Sequence, residues 1–463
     1  MSLIIPANSL AVGGYNIDNS LRFNSASSDY LSRTYGTPTN NLKYTKSFWI
    51  KRSGLTDIAK GFIFNNSTNS NTDYFYFNAS DQIVVGQSTS TPNTTAVFKD
   101  ISAWYHCVMV FDSANATADD RLILYVNGIR QTLSSTISQN STGGNQSGVT
   151  YEIGHQGTQS RYLDGYLAEI YMIDGQALTP TDFGEFDQDT GIWKPIKYTG
   201  TYGNNGFYLD FENSGSLGAD QSGNGNNWTV NNLTSIDQVT DTPTNNFATM
   251  NPLVKAYPNG TTSYTFSEGN LNLTSGVAGY SGYSSFAIPK QGKWYFEHRQ
   301  NDNPILDYPQ IGITETTYGG ASALIGFHTT SGSDYRGKIY SSVNSGVWNS
   351  ARSSGDVFGW YLDFDNNKMI VHKNGSTYMS GSYLSGYDFS SRTLPSGAID
   401  IGFWTICCMT DDTINVSFNF GNPTFTISSG NSDANGYGNF EYSPTLSGVN
   451  YYSLCTKNLA EFG

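Results

Sequence analysis

The sequence predicts an all-β protein: two antiparallel β-sandwiches in tandem, joined by an extended linker. Three observations carry this. Charged residues make up 13% of the 463-residue chain, about half the ~25% of an average globular domain. The polar surface is therefore built from Asn, Ser, Thr and Gly, which suit turns and short strands better than helices. Aromatic residues reach 14%, enough large side chains to fill extensive cores. Third, one hairpin pattern occurs twice. In Trp104–Gly128 two apolar runs flank a polar turn, and Asn127-Gly128 supplies the positive φ angles of a tight closing turn. Both faces of its first run, Trp104–Phe111, are largely apolar, as in a strand covered on both sides. Phe358–Gly375 repeats the pattern and ends on Asn374-Gly375. Two such hairpins indicate two sandwiches.

Taken in order, residues 1–18 read as an extended arm, interrupted by Pro6 and Gly13-Gly14. The first sandwich spans 19–197. Its strands are expected at Ser20–Phe23, Tyr30–Leu31, Ser47–Lys51, Gly61–Phe64, Tyr74–Phe77 and Ile83–Val85. The hairpin, Tyr151–Ile153 and Tyr162–Ile173 follow. Ala177–Phe186 offers one short helical turn, the only helix-like segment expected. Residues 198–255 are rich in Gly, Asn, Asp and Thr and read as linker, with one strand at Phe207–Phe211. Within it, Asp220–Asn227 reads as an Asn/Gly turn; it could also hold Ca²⁺ through oxygen ligands, although it is short of carboxylates for a tight site. The second sandwich spans 256–427. A tail, 428–463, contains a loop at Gly430–Gly438 and the run Tyr451–Leu459.

The net charge of −14 disfavours nucleic acid as a partner, since an acidic surface repels phosphate backbones. No run approaches the ~18 apolar residues of a membrane span. The first basic residue is Arg22, so the N-terminus lacks the charged region of a secretory signal, and synthesis in a cytoplasm is expected. Cys107, Cys407, Cys408 and Cys455 form neither a disulfide framework nor a zinc spacing and read as free buried thiols.

The pieces Trp104-Tyr105-His106, Leu124–Gly128, Leu163-Asp164-Gly165 through Ile170-Tyr171, and Gln176–Thr179 resemble the laminin-G-like, concanavalin-type jelly roll over residues 19–197. That resemblance implies a fold that hosts lectins, adhesion modules and glycan hydrolases alike. In the second sandwich, Gly292–Glu297, Ile311–Ile313, Gly355–Gly359 with Leu362-Asp363, and Phe418–Phe425 resemble a SPRY domain. The resemblance implies that these motif residues are scaffold and that binding belongs to loops on one rim. Tyr335, Arg336 and Trp348 lie between the matched strands and are the candidates for that rim; Tyr335 and Trp348 are equally readable as core aromatics.

The order of parts resembles large structural proteins of marine bacteriophages, particularly those infecting cyanobacteria. This implies a protein made in the host cytoplasm and carried on the virion surface. Its implied partners are other virion proteins and host envelope glycans, without membrane insertion. A homo-oligomer is implied too, a trimer if it is a fibre, with the arm and the tail making contacts between subunits. Two further readings stay open, a capsid or tail decoration protein of purely structural role and a glycan-degrading enzyme. No enzyme is expected. The five histidines (His106, His155, His298, His328, His372) show no metal spacing, and neither a nucleophile elbow nor a phosphate-binding loop occurs. The strand Tyr166–Asp174 offers Glu169 and Asp174, five apart and so expected on opposite faces, which does not suit paired acid/base work. No cofactor is expected.

Overall fold

The computed structural model describes residues 14–57, 60–66, 74–86, 90–157, 159–253, 264–275, 280–302, 310–316, 325–326, 352–379, 385–390, 400–410 and 414–463. They fall into two compact units, 14–246 and Phe247–Gly463. Both are β-sandwiches of almost wholly antiparallel sheets, and the second carries one short helix.

The N-terminal unit opens with β1 (Ser20–Phe23), β2 (Tyr30–Thr34), β3 (Lys43–Arg52), β4 (Phe62–Asn66), β5 (Tyr74–Phe77) and β6 (Ile83–Gly86). Next come β7 (Trp104–Asp112), β8 (Leu122–Val126), β9 (Ile129–Arg130), β10 (Thr150–Ile153) and β11 (Gly165–Asp174). It closes with β12 (Gly184–Phe186), β13 (Trp193–Pro195), β14 (Phe207–Leu209), β15 (Thr229–Asn231) and β16 (Gln238–Val239). One sheet has eight strands in the order β16-β1-β11-β3-β7-β8-β9, with β14 also on β11; the other has six, β15-β2-β10-β4-β5-β6. Alternation decides what each strand buries. Cys107, Met109 and Phe111 of β7 point into the core between the sheets, where they join Phe64, Phe75 and Ile153 of the six-stranded sheet. Val108 and Val110, on the other side of β7, meet Tyr171, Phe183, Tyr198 and Tyr208 in a second apolar layer. The strand is thus covered on both faces, and the hairpin closes with φ of +49° at Asn127 and +77° at Gly128.

Two expectations are corrected here. The stretch 198–246 is not linker. It supplies β14, β15 and β16, which pair with β11, β2 and β1. Phe207, Leu209, Phe211, Leu217, Trp228 and Leu233 anchor it in the core. Its Asn and Asp side chains hold the loops between these anchors by bonding to backbone, as Asn224 and Asn226 do to the Gly206 carbonyl. Residues 14–18 likewise lie on this unit, Ile17 through hydrogen bonds with Thr244 and Tyr15 through Glu169.

The C-terminal unit begins with β17 (Met250–Asn251), β18 (Thr265–Ser267), β19 (Asn272–Ser275), β20 (Tyr280–Ser284), β21 (Lys293–Gln300) and β22 (Gln310–Thr316). It continues with β23 (Ile325–Gly326), β24 (Val357–Asp363), β25 (Lys368–Lys373), β26 (Ser376–Thr377), β27 (Tyr387–Asp388), β28 (Asp400–Thr410) and β29 (Ile414–Asn419). Then come β30 (Thr445–Leu446), β31 (Val449–Asn450), β32 (Tyr452–Ser453) and α1 (Thr456–Phe462). A five-stranded sheet, β17-β20-β28-β22-β23, faces a nine-stranded one built on β18-β19-β29-β21-β24-β25-β26. Trp294, Phe296, Trp360 and Phe418 from the larger sheet pack with Ile311, Ile313, Trp404 and Ile406 from the smaller.

The tail is built into this unit rather than left free for a neighbouring subunit. Its β32 pairs in parallel with β21. The Asp433 carboxylate accepts from Ser453 N, Ser453 Oγ and Asn458 Nδ2 at 2.7–2.9 Å. The tail also holds the one α-helix among the described residues, whereas Pro180–Asp182 forms only a 3₁₀ turn. A seven-residue helix is too short for its periodicity to stand out in sequence.

Candidate functional site

The outward face of the six-stranded sheet gathers polar and aromatic side chains in one place. In β10 the alternation sends Tyr151 and Ile153 into the core and Glu152 outward. Strand register then sets Ser32 of β2 opposite Glu152, and Glu152 opposite Asn65 of β4. Tyr74 and Tyr76 extend this face on β5, because Phe75 and Phe77 point inward. Burial raises both phenols above their ordinary pKa, so they stay protonated and can both donate and accept.

At one end of the row lies an aromatic stack. A bridge between His155 and Tyr162 brings their rings to 4.4 Å at 16°, and Tyr30 approaches His155 at 4.9 Å. His155 Nδ1 lies 3.0 Å from Glu152 Oε2, which also accepts the Gly157 N–H at 2.8 Å. Beside the stack, Arg161 donates to Gln156 Oε1 at 2.9 Å. Asn65, wholly buried, donates through Nδ2 to the Asn66 carbonyl.

A cleft of about 570 Å³ lies at the edge of the eight-stranded sheet. It is lined by Thr117, Asp119, Asp120, Arg130, Leu133 and neighbours, without an aromatic floor. The Arg130–Asp120 pair across it, at 2.9 Å, is solvent-exposed and contributes little.

The carboxylates considered for catalysis are committed elsewhere. A bulge between Ala168 and Tyr171 puts Glu169 at φ +51°. There it accepts from Tyr171 Oη at 2.5 Å, Tyr208 Oη at 2.6 Å and Tyr15 Oη at 3.1 Å. Burial pushes its pKa up to about 7 despite the three phenols. Asp174 accepts the N–H groups of Thr39, Asn40 and Asn205 and the Asn145 amide, tying loops together at the strand's end. The two do not share a site. His106 is locked as well. Trp193 Nε1 donates to its Nδ1 at 3.0 Å, which leaves the proton on Nε2, facing Ser47 Oγ at 2.8 Å. Burial lowers its pKa to about 3. With Nε2 as donor, it cannot serve Ser47 as a base.

At the turn weighed for Ca²⁺, the Asp220 carboxylate is occupied by Tyr208 N, Ser222 N, Ser222 Oγ and Asn226 N, all within 2.7–2.9 Å. It organises the loop. Among the described residues no group of three His, Cys, Asp or Glu is placed to hold a metal.

Tyr335, Arg336, Trp348 and His328 lie outside the described residues. The outward face of the six-stranded sheet was not singled out by sequence reasoning. Its one local signal is the alternation Tyr74-Phe75-Tyr76-Phe77; the pairing of Glu152 with Asn65 and the stack on Tyr30 depend on contacts distant in sequence.

Residues 25–182, which include the side chains named on this face but not β15, match a laminin G-type family model described as the concanavalin A-like lectin/glucanases superfamily. None of the curated proteins compared matches the chain. Among solved structures, a putative carbohydrate binding protein from Bacteroides ovatus is 17% identical with a TM-score of 0.37. That match covers 49% of this chain, which spans 60% of that protein's length. Domains LG4-5 of the mouse laminin alpha1 chain are 8% identical, with a TM-score of 0.29, over 96% of this chain and 88% of theirs. The SPRY domain of human HERC1 is 15% identical, with a TM-score of 0.24, over 34% of this chain and 90% of its own.

Proposed function

We propose that the protein is a non-catalytic, glycan-binding structural protein of a bacteriophage particle, displayed on the virion surface or tail fibre. On this reading glycan sits on the outward face of the N-terminal unit's six-stranded sheet. The observation that carries it is the row Ser32–Glu152–Asn65, flanked by the His155–Tyr162 stack and by Tyr74 and Tyr76. A sugar ring has an apolar C–H face and an edge of hydroxyls. Aromatic rings suit the first, and carboxylate and amide groups suit the second. The virion assignment rests on the layout of the chain alone.

A shallow sugar site of this kind binds weakly, and a millimolar Kd corresponds to about −4 kcal/mol. Several copies acting together gain roughly 10²–10⁴ in avidity, so the proposal includes a homo-oligomer, a trimer on a fibre. A decoration protein of purely structural role is the competing reading.

The test is binding of the purified protein to host envelope polysaccharide, with reducing-end release followed in parallel. Glu152→Gln and Tyr162→Ala should each weaken binding at least tenfold with little change in melting temperature, and no sugar should be released. Full binding by both variants, with loss of binding by Trp348→Ala, would move the site to the Tyr335–Arg336–Trp348 rim. Binding to no host polysaccharide, with the protein found at fixed stoichiometry on the capsid, would favour decoration.

A further inference from the structure

A second cluster, buried on the other sheet, has the makings of a covalent reaction. Lys51 of β3, Asp241 and Asn246 are 1%, 1% and 7% exposed. Lys51 Nζ lies 2.7 Å from Asp241 Oδ2 and 2.7 Å from Asn246 Oδ1. Trp104 Nε1 donates to the other carboxylate oxygen at 3.1 Å, and the Tyr166 ring lies 5.6 Å from Nζ. Asn246 Nδ2 donates to the Ser102 carbonyl at 2.6 Å, which fixes the plane of the amide. A C=O bond of ~1.23 Å puts the amide carbon about 3–4 Å from the lysine nitrogen, close to an attack distance.

Burial lowers the Lys51 pKa, against the opposing pull of Asp241. In such a pocket a neutral amine is an accessible alternative to the ammonium. A desolvated amine, a carbonyl carbon within reach and a carboxyl group touching the amine are the three parts that amide exchange needs.

We propose that Lys51 and Asn246 condense into an intramolecular isopeptide bond, with Asp241 relaying the protons. Asp241 first takes one proton from the Lys51 ammonium. The neutral amine attacks Cγ of Asn246, forming the Nζ–Cγ bond and moving the carbonyl π pair onto Oδ1. Asp241 gives its proton to Nδ2, the Cγ–Nδ2 bond breaks with its electrons on nitrogen, and ammonia leaves as the carbonyl re-forms. Asp241 then takes the surplus proton from Nζ. One amide replaces another, and nothing is oxidised or reduced.

The bond would join β3, inside the eight-stranded sheet, to the last residue of the N-terminal unit. Tension arriving from beyond Asn246 would then reach β3 directly, bypassing the two- and three-residue strands β14–β16. That suits a protein that bears load during attachment, although the bond stands or falls independently of glycan binding.

Intact mass spectrometry of the purified full chain, with tandem sequencing of its tryptic peptides, decides the matter. The expected result is a chain lighter than its sequence by one ammonia. It should also yield a branched peptide joining Lys51 to Asn246, with no cleavage after Lys51. A mass equal to the sequence overturns the proposal. So does an ammonia loss that maps to ring closure at Asn127-Gly128 or Asn374-Gly375 without the branched peptide. Asp241→Asn should abolish the branched peptide while leaving both reacting side chains in place. Its persistence in that variant would overturn the role of Asp241.

Discussion

Each unit buries one glutamate on the outer face of its larger sheet, and each uses it to hold a distant stretch of chain. They do so with different donors. Glu169 is met by the phenols of Tyr15, Tyr171 and Tyr208. Glu297 is met by Tyr295 Oη, Asn419 Nδ2 and the backbone N–H groups of Glu441 and Tyr442, at 2.8–3.0 Å. Burial pushes both carboxyls up to about 7. The N-terminal clasp is made of side chains and a bulge. The C-terminal one also grips the backbone of the tail, so two of its four donors, the N–H groups of Glu441 and Tyr442, cannot be removed by substitution. The same electrostatic device can therefore be tight or adjustable according to whether side chains or backbone supply the donors.

The largest expected effect compares the two tryptophans of the paired hairpins. Trp360 is fully buried in the core between sheets, stacked on Phe296 at 5.4 Å and donating to His298 Nδ1 at 2.8 Å. Trp104 belongs to the outer layer with Ile17, Trp49 and Trp193. Truncating either to Ala should cost about 3–5 kcal/mol, with Trp360 near the top of that range and Trp104 near the bottom. Denaturant melts of the two variants check the order. A larger loss at Trp104 would mean that the outer layer of the N-terminal unit is a stronger anchor than the inter-sheet core of the C-terminal unit.

The glutamates come next, through pH. Each has a folded pKa of about 7 against an ordinary value of 4.5. The folded state therefore holds a proton that the unfolded chain releases above about 4.5. The resulting stabilisation is complete below that pH and is lost as pH rises through 7. His106 works in the opposite sense. Its folded value of about 3 lies below the ordinary 6.5, so its contribution is present above 6.5 and is lost as pH falls toward 3. Differences between variants remove this background. The stability advantage of the native chain over Glu169→Gln should shrink by roughly 1.4 kcal/mol per pH unit between about 5 and 7, then level off. Glu297→Gln should behave alike. A flat difference for Glu297 alone would mean that its backbone donors keep it ionised, and the two clasps would then differ in charge as well as in donors.

How much of this was legible in sequence depends on the range of the interaction. The Asn-Gly turns were readable because two adjacent residues determine them, and both hairpins adopt the expected positive φ. The stretch 198–246 read as linker because its anchors, Phe207, Leu217 and Trp228 among them, are irregularly spaced between Asn- and Gly-rich loops. Beyond the alternation Phe207, Leu209, Phe211, which marked one strand, no period-2 signal links Leu217, Trp228 and Leu233. The parallel pairing of β32 with β21 joins Tyr452 to Trp294, and no local pattern encodes a contact of that separation. Glu169 and Asp174 were rightly set apart, but by a parity count that the bulge at Ala168 invalidates; different partners separate them. The candidate face was missed for the same reason as the linker strands, since its row exists only once β2, β10 and β4 are in register.

The smallest expected effect separates the two closing turns. Gly128 and Gly375 share a φ of +77°, so a Cβ at either carries about 1–2 kcal/mol of left-handed strain. What differs is the neighbour. At Gly128 the new carbon would run into the ring of Trp193, which is buried and held by its hydrogen bond to His106. At Gly375 it would meet Tyr442 Cε1 at 2.9 Å, on a ring that is only half-buried. Gly375→Ala should therefore cost little beyond the strain, and Gly128→Ala roughly 1 kcal/mol more, as for other overpacked sites. Thermal melts of the two single variants measure the gap. Equal losses would show that Trp193 swings aside freely, and the Trp193–His106 bond would then have no part in holding the N-terminal outer layer. If Gly128→Ala alone also raises the pKa of His106, followed by NMR titration of its ring, the displaced indole has released Nδ1 and the coupling between turn and layer is direct.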